Sequence, residues 1–268
     1  MHELEKYFKK RVKKIYSLIE EPEDSFNADV FHKLRVEIKK VKALLKLLKK
    51  TNKKFELKEL FKPYKEIFEK AGRVRELQLE EEFWKKRNIE DVPAQYVNQL
   101  RSNRKIARKD FFELLDNNIL KKLKKREHEI LKAIERTDQP AFEKALIKKE
   151  EKITTLLNHK ALKFSEAHDL RKRLKEYFFN QKSFHHKLSE EKQTEMKALM
   201  DSLGRWHDDR VMASQLEENI KKASLPKHEL EQLASTRKLL LIESKEWFSK
   251  INQSANALSI EELVITDH

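Results

Sequence analysis

Apolar residues recur at intervals of three and four along almost the whole chain. That spacing puts one face of an α-helix against a core. In residues 31–50, FHKLRVEIKKVKALLKLLKK, the apolar positions are Phe31, Leu34, Ile38, Val41, Leu45 and Leu48. The same pattern predicts a helix over 2–20, with Leu4, Phe8, Val12, Ile15 and Ile19 inward. Others are predicted near 53–71, 74–87, 93–115, 119–136, 140–157, 162–181, 188–203, 206–223 and 226–257. Turn residues mark several of the boundaries. Glu21 to Ser25 reads as a turn, and Ser25 or Asn27 is placed to cap the next helix. Pro63 is expected to kink or break the third helix, and Gly72 to end it at a tight corner. Asp116-Asn117-Asn118 reads as a cap or break, and Thr137-Asp138-Gln139-Pro140 as the main boundary, with proline just inside a helix start. The expected fold class is all-α: two helical halves, about 1–136 and 138–257, joined by a short turn and packed as one domain, with 258–268 as a tail.

The polar positions of the second helix are as ordered as the apolar ones. Directly after each apolar residue comes His32, Arg35, Lys39, Lys42, Lys46 or Lys49. One residue turns about 100° around a helix axis, so a basic stripe runs beside the buried one, with side chains roughly 5 Å apart along the axis. Glu37 is the one acid in the run. A row of cations in register suits a long polyanion better than a single small substrate.

The opening of this helix recurs. His32, Leu34, Arg35, Ile38 and Lys39 match His168, Leu170, Arg171, Leu174 and Lys175 at an offset of 136. Ala71-Gly72-Arg73-Val74-Arg75-Glu76 resembles Leu203-Gly204-Arg205-Trp206-His207-Asp208 at an offset of 132, and these hold the two glycines of the protein. A weaker match relates the helix that follows Pro93 and carries Arg104 to the one that follows Pro226 and carries Arg237, at an offset of 133. A near-constant offset across the chain argues for two copies of one design. A single histidine beside a bundle seam is usually structural; the repeat shifts His32 and His168 toward a shared role.

Composition narrows the chemistry. The net charge is +14, from 60 Lys and Arg against 46 Asp and Glu, which implies an acidic partner. Charged residues make up 40%, yet the 38% apolar residues are periodic, which separates this chain from a disordered polyelectrolyte. No cysteine is present, so disulfides and thiolate metal sites are excluded. No apolar run approaches the 18 residues of a membrane span, and the first residues lack the apolar region of a secretory signal. The expected location is cytoplasmic.

The His-x-x-Arg-x-x-x-Lys opening, its repeat and the Leu-Gly-x-x-(Arg or His)-Asp corner resemble the CHAD family, the conserved histidine α-helical domain, over about residues 1–257. The resemblance implies two four-helix-bundle halves related by a pseudo-twofold axis, with a basic surface and a central cavity. It also implies non-enzymatic binding of inorganic polyphosphate, association with polyphosphate granules and no cofactor. Carried over by position, it points to His32, Arg35, Lys39, Arg73 and Arg75 in one half, and to His168, Arg171, Lys175, Arg205 and His207 in the other. Lys42 and Lys46 of the stripe, Arg104 and Arg108 on one face of the fifth helix, and Arg237 complete the expected polyphosphate contacts. The family favours two arginines where this chain has Lys39-Lys40. Glu76 stands where Asp208 is the expected type. The second copy is the less basic one. Arginine offers a planar fork for two phosphate oxygens, lysine a point charge, and histidine a donor whose charge an anion promotes.

Three other functions fit parts of the sequence. Sequence-blind binding of DNA or RNA would use the same cations, although aromatic residues do not interleave with the stripe of the second helix. A metal-dependent phosphohydrolase of the HD type would use His168-Asp169 and His207-Asp208, with His159 nearby; Lys33 follows His32 in the first copy, which counts against it. Docking of granule proteins on the acidic helices is the third.

Overall fold

The structure, a computed structural model, describes residues 2–52, 54–86, 92–181, 190–222 and 224–257. Among these it is all-α. The helices are α1 (His2–Ile19), α2 (Ala28–Thr51), α3 (Leu57–Lys86), α4 (Ala94–Leu114), α5 (Leu120–Glu135), α6 (Gln139–Leu157), α7 (Phe164–Gln181), α8 (Glu190–Lys222) and α9 (Lys227–Ala257). A 3₁₀ turn, Glu23–Ser25, precedes α2, and a π turn, Leu115–Ile119, joins α4 to α5. The 258–268 tail lies outside the described residues.

Local chemistry sets several helix starts. The Asn27 side chain accepts from the backbone N–H groups of Asp29 and Val30 at 2.9 and 3.1 Å, so α2 begins with two of its orphan donors satisfied. Asp138 Oδ2 accepts from the Ala141 N–H at 3.2 Å at the start of α6.

Three expected breaks are continuous. α3 runs through both Pro63 and Gly72, and α8 runs through Gly204. Pro63 lacks only one ladder donor, and it is buried within α3. Gly72 is a packing residue rather than a cap. A Cβ there would overlap Nη1 of Arg35 and stand 3.0 Å from its Cζ. A Cβ at Gly204 would meet nothing within 4 Å, and nothing in the structure explains that glycine. At a fourth expected break, Asp116-Asn117-Asn118, Asn118 takes a left-handed conformation (φ 56°) inside the π turn. Asparagine tolerates that region, so the chain passes from α4 to α5 without a loop.

The chain forms two compact units. Unit 1 contains the described residues up to 86 together with 97–145. Phe26, Phe31 and Phe111 are buried in its core, with ring centroids 5.0–5.5 Å apart. Glu37, the acid of the basic run, is buried between Arg11 of α1 (3.1 Å) and Lys40 (2.6 Å). It ties α1 to α2, and the charge is satisfied on both sides. Unit 2 contains 92–96, 146–181 and the described residues from 190 to 257. α8 and α9 pack along their length, and α7 lies against α8. Leu170 and Leu174 of α7, Leu199, Leu203 and Trp206 of α8, and Ile251 of α9 share its core.

Candidate anion-binding clusters

In unit 1 the basic stripe of α2 lies along α3, and aromatic rings of α3 support it. The Arg35 guanidinium lies 4.3 Å from the centroid of the Phe68 ring, and its Nη1 donates to the Phe68 carbonyl at 3.1 Å. Lys39 Nζ is 5.7 Å from the same ring, and Lys42 Nζ is 5.3 Å from Phe61. Phe61 and Phe68 are seven residues apart, as are Arg35 and Lys42, so two turns of one helix register with two turns of the other. With Gly72 opening the space, the Arg35 guanidinium is held on three sides. Lys46 continues the row one turn further along α2.

Arg75 joins this cluster from α3. Its Nη1 is 3.2 Å from Glu82 Oε1. Arg73 does not join. Two residues turn a helix by about 200°, so one of the pair faces α2 and the other faces water. Arg75 is half-buried and Arg73 exposed. Burial pushes the His32 imidazole below its usual pKa, and Arg75, Lys39 and Arg35 add to that through their charges while Asp29 opposes it. Burial also works against the charge of Arg35, which Glu76 supports and Arg75 opposes.

In unit 2 the matched residues gather on α7 and α8. The His168 and His207 rings face each other with centroids 5.2 Å apart. Burial, then the charges of Arg171, His168, Lys175 and Lys172, push His207 down to about 4. His168 is lowered by burial and by Lys172 and Arg171, with Asp169 opposing. Lys175 is lowered by burial and by Arg171, against Asp208 and Asp201. Arg171 Nη2 lies 3.8 Å from Asp208 Oδ1, and that carboxylate supports the guanidinium charge against burial. Glu76 and Asp208, matched in the repeat, thus act on matched arginines. Arg205, like Arg73, turns away from the cluster; its Cζ is 4.9 Å from the Trp247 ring of α9.

The remaining expected contacts are engaged elsewhere. Arg104 Nε is 2.8 Å from Glu81 Oε1. Arg108 donates to the carbonyls of Phe26 and Glu23, clamping the turn before α2. Both arginines line a cleft of about 460 Å³, but Asp24, Glu81 and Glu82 line it too, a mixed field poorly suited to a polyanion. Arg237 Nη2 is 2.8 Å from Glu217 Oε2. Lys172 is a cluster member that the repeat does not mark, because Val36 occupies its position in the first copy.

The HD histidines do meet, but their carboxylates face arginines. Asp169 Oδ2 accepts from Arg173 Nε at 2.7 Å, and Asp208 faces Arg171. His159 Nδ1 is 3.4 Å from Glu166 Oε1. Among the described residues no three His, Asp or Glu side chains converge to hold a metal ion. His185 and His186 lie outside the described residues. No helix among the described residues is long and apolar enough to cross a membrane.

Among the described residues the chain is all-α, with a matched His/Arg/Lys cluster in each of its two units. The family model of the CHAD domain matches residues 17–217, and the chain belongs to the CHAD family. The fold is similar to that in the crystal structure of the CHAD domain from the plant Ricinus communis, with a TM-score of 0.68 and 15% sequence identity, over 96% of this chain and 90% of that one. No curated protein sequence matches.

Proposed function

We propose that this protein binds inorganic polyphosphate, without catalysing a reaction on it, through the clusters on its two units. The observation that carries the reading is the duplication: His32, Arg35, Lys39 and Arg75 are matched by His168, Arg171, Lys175 and His207, each set gathered on one helix pair. Repeated cations fit a repeating ligand. Each phosphate adds one charge, and several modest charge-assisted contacts in register give affinity without any requirement for shape. The acids Glu76 and Asp208 offset the cost of burying the two guanidinium charges. Residence in the cytoplasm at polyphosphate granules is part of the same proposal.

Gly72 provides a test from within the fold. Gly72→Ala pushes the Arg35 guanidinium off its seat, whereas Gly204→Ala adds a methyl group in open space. The first should weaken polyphosphate binding about tenfold, the size of one lost charge-assisted contact. The second should leave binding unchanged and raise helix stability by up to about 1 kcal/mol. Replacing Arg35 and Lys39 together by alanine should weaken binding by about 10–100-fold while the circular dichroism stays native. An unchanged affinity in that double variant removes α2 from the site.

A further inference from the structure

The two copies of the repeat differ in one respect that the anion clusters do not explain. Phe164 stands where the first copy has Ala28, and Trp206 stands where it has Val74. Phe164 opens α7 and is 45% exposed, an unusual position for a large ring. His168 follows four residues later and Arg171 seven, so the ring extends the cationic row of α7 at its N-terminal end. Beneath it lie Trp206, nearly parallel at 6.1 Å and 27°, and Phe248, edge-on at 4.4 Å. The Arg210 Cζ is 4.9 Å from the Phe164 centroid. On α9, the partly buried Trp247 has Arg205 Cζ at 4.9 Å and Lys250 Nζ at 4.5 Å. Arg205, Arg210 and Lys250 are all exposed.

Polyphosphate has no flat face and gains nothing from rings. A single-stranded nucleic acid has both halves of the match: phosphates for the cations and base π-faces for the aromatics. Arg210 covers Phe164 and Arg205 covers Trp247, so an entering base takes the guanidinium's place on the ring while the released N–H groups turn to the adjacent phosphate. We propose that Phe164 of α7, Arg205 and Arg210 of α8, and Trp247 and Lys250 of α9 form a docking surface for single-stranded nucleic acid. Bases stack on Phe164 and Trp247, and the backbone follows Arg205, Arg210 and Lys250. The reading is sequence-blind, because every base offers a π-face. A duplex keeps its bases stacked on each other and uses only the cations.

The whole chain is titrated with a 12-residue oligothymidylate, a duplex of equal length and polyphosphate, with tryptophan fluorescence as the readout. Trp84 and Trp206 are buried, at 1% and 3% exposure, so quenching by a stacked base reports on Trp247. Oligothymidylate is expected to quench, while polyphosphate and duplex bind without quenching. Phe164→Ala and Lys250→Gln should each weaken oligothymidylate about tenfold and leave polyphosphate affinity unchanged. Lys250→Gln, on the surface, keeps the test open if Phe164→Ala unfolds. Absence of quenching, or oligothymidylate affinity unaltered in both variants, overturns the proposal. A failure of polyphosphate to bind leaves these outcomes untouched.

Discussion

Polyphosphate affinity is expected to fall about 10³–10⁵-fold when salt is raised from 50 to 200 mM, provided that 6–10 phosphates are engaged. The lower contact number corresponds to unit 1 alone: Arg35, Lys39, Lys42, Lys46 and Arg75, with His32 once it is charged. Unit 2 offers its own set, Arg171, Lys172 and Lys175, with His168 and His207 once they are charged. The effect arises because each neutralised phosphate releases a condensed counterion, and salt reduces the entropy gained from that release. Half-burial of Arg35, Arg75 and Arg171 does not cancel the slope, since it is the ligand's counterions that are set free. A plot of log affinity against log salt measures the number of contacts directly. A flat plot would mean that shape or hydrogen bonding, not charge, holds the ligand.

Acidification should tighten binding while it loosens the empty protein. His207 is held near 4 and His168 below its usual value, by burial and by the cations Arg171, Lys172 and Lys175. Both rings are therefore neutral at pH 7 without ligand. An entering polyanion reverses the local field and favours the imidazolium. Each histidine that takes a proton on binding then contributes a slope of up to about tenfold per pH unit. Affinity should rise as pH falls from 8 toward 5, a window in which lysine, arginine and the internal phosphates keep their charges. The sign for the empty protein is opposite. An unfolded histidine binds protons near 6.5 and folded His207 near 4, so stability is complete above 6.5 and is lost as pH falls from there toward 4. Isothermal titration in buffers of different ionisation enthalpy measures the protons taken up. A pH-independent affinity would show that the histidine pair stays neutral and contributes only shape. Loss of the slope in His168→Gln with His207→Gln would locate the effect in unit 2.

The helices were legible because a 3.6-residue period survives in the apolar pattern whatever the tertiary contacts. Their continuity was not. Glycine in sequence reads as a helix stop, and nothing local reveals that the space at Gly72 is filled by an arginine from a helix 37 residues earlier. That assumed corner also hid the fate of Arg73 and Arg205. On a continuous helix a step of two places them opposite Arg75 and His207, which is how the structure has them. The clusters themselves were written in the repeat, since matched offsets carry matched positions. Arg104, Arg108 and Arg237 look like further cations in sequence, but Glu81, Glu23 and Glu217 on other elements engage them. Such non-local pairing leaves no periodic trace. Lys172 was invisible for the opposite reason, being a cation of one copy only.

The central claim is that the paired clusters select a polyphosphate chain, and competition tests it most directly. The whole protein is loaded with labelled long-chain polyphosphate at low salt and challenged with unlabelled polyphosphate, duplex DNA and pyrophosphate at equal phosphate. The account predicts that polyphosphate displaces the label at far lower concentration than the other two, because only it is both flexible and long enough to follow a row of cations. Equal displacement by duplex DNA would contradict it, and would make the clusters a general cationic surface.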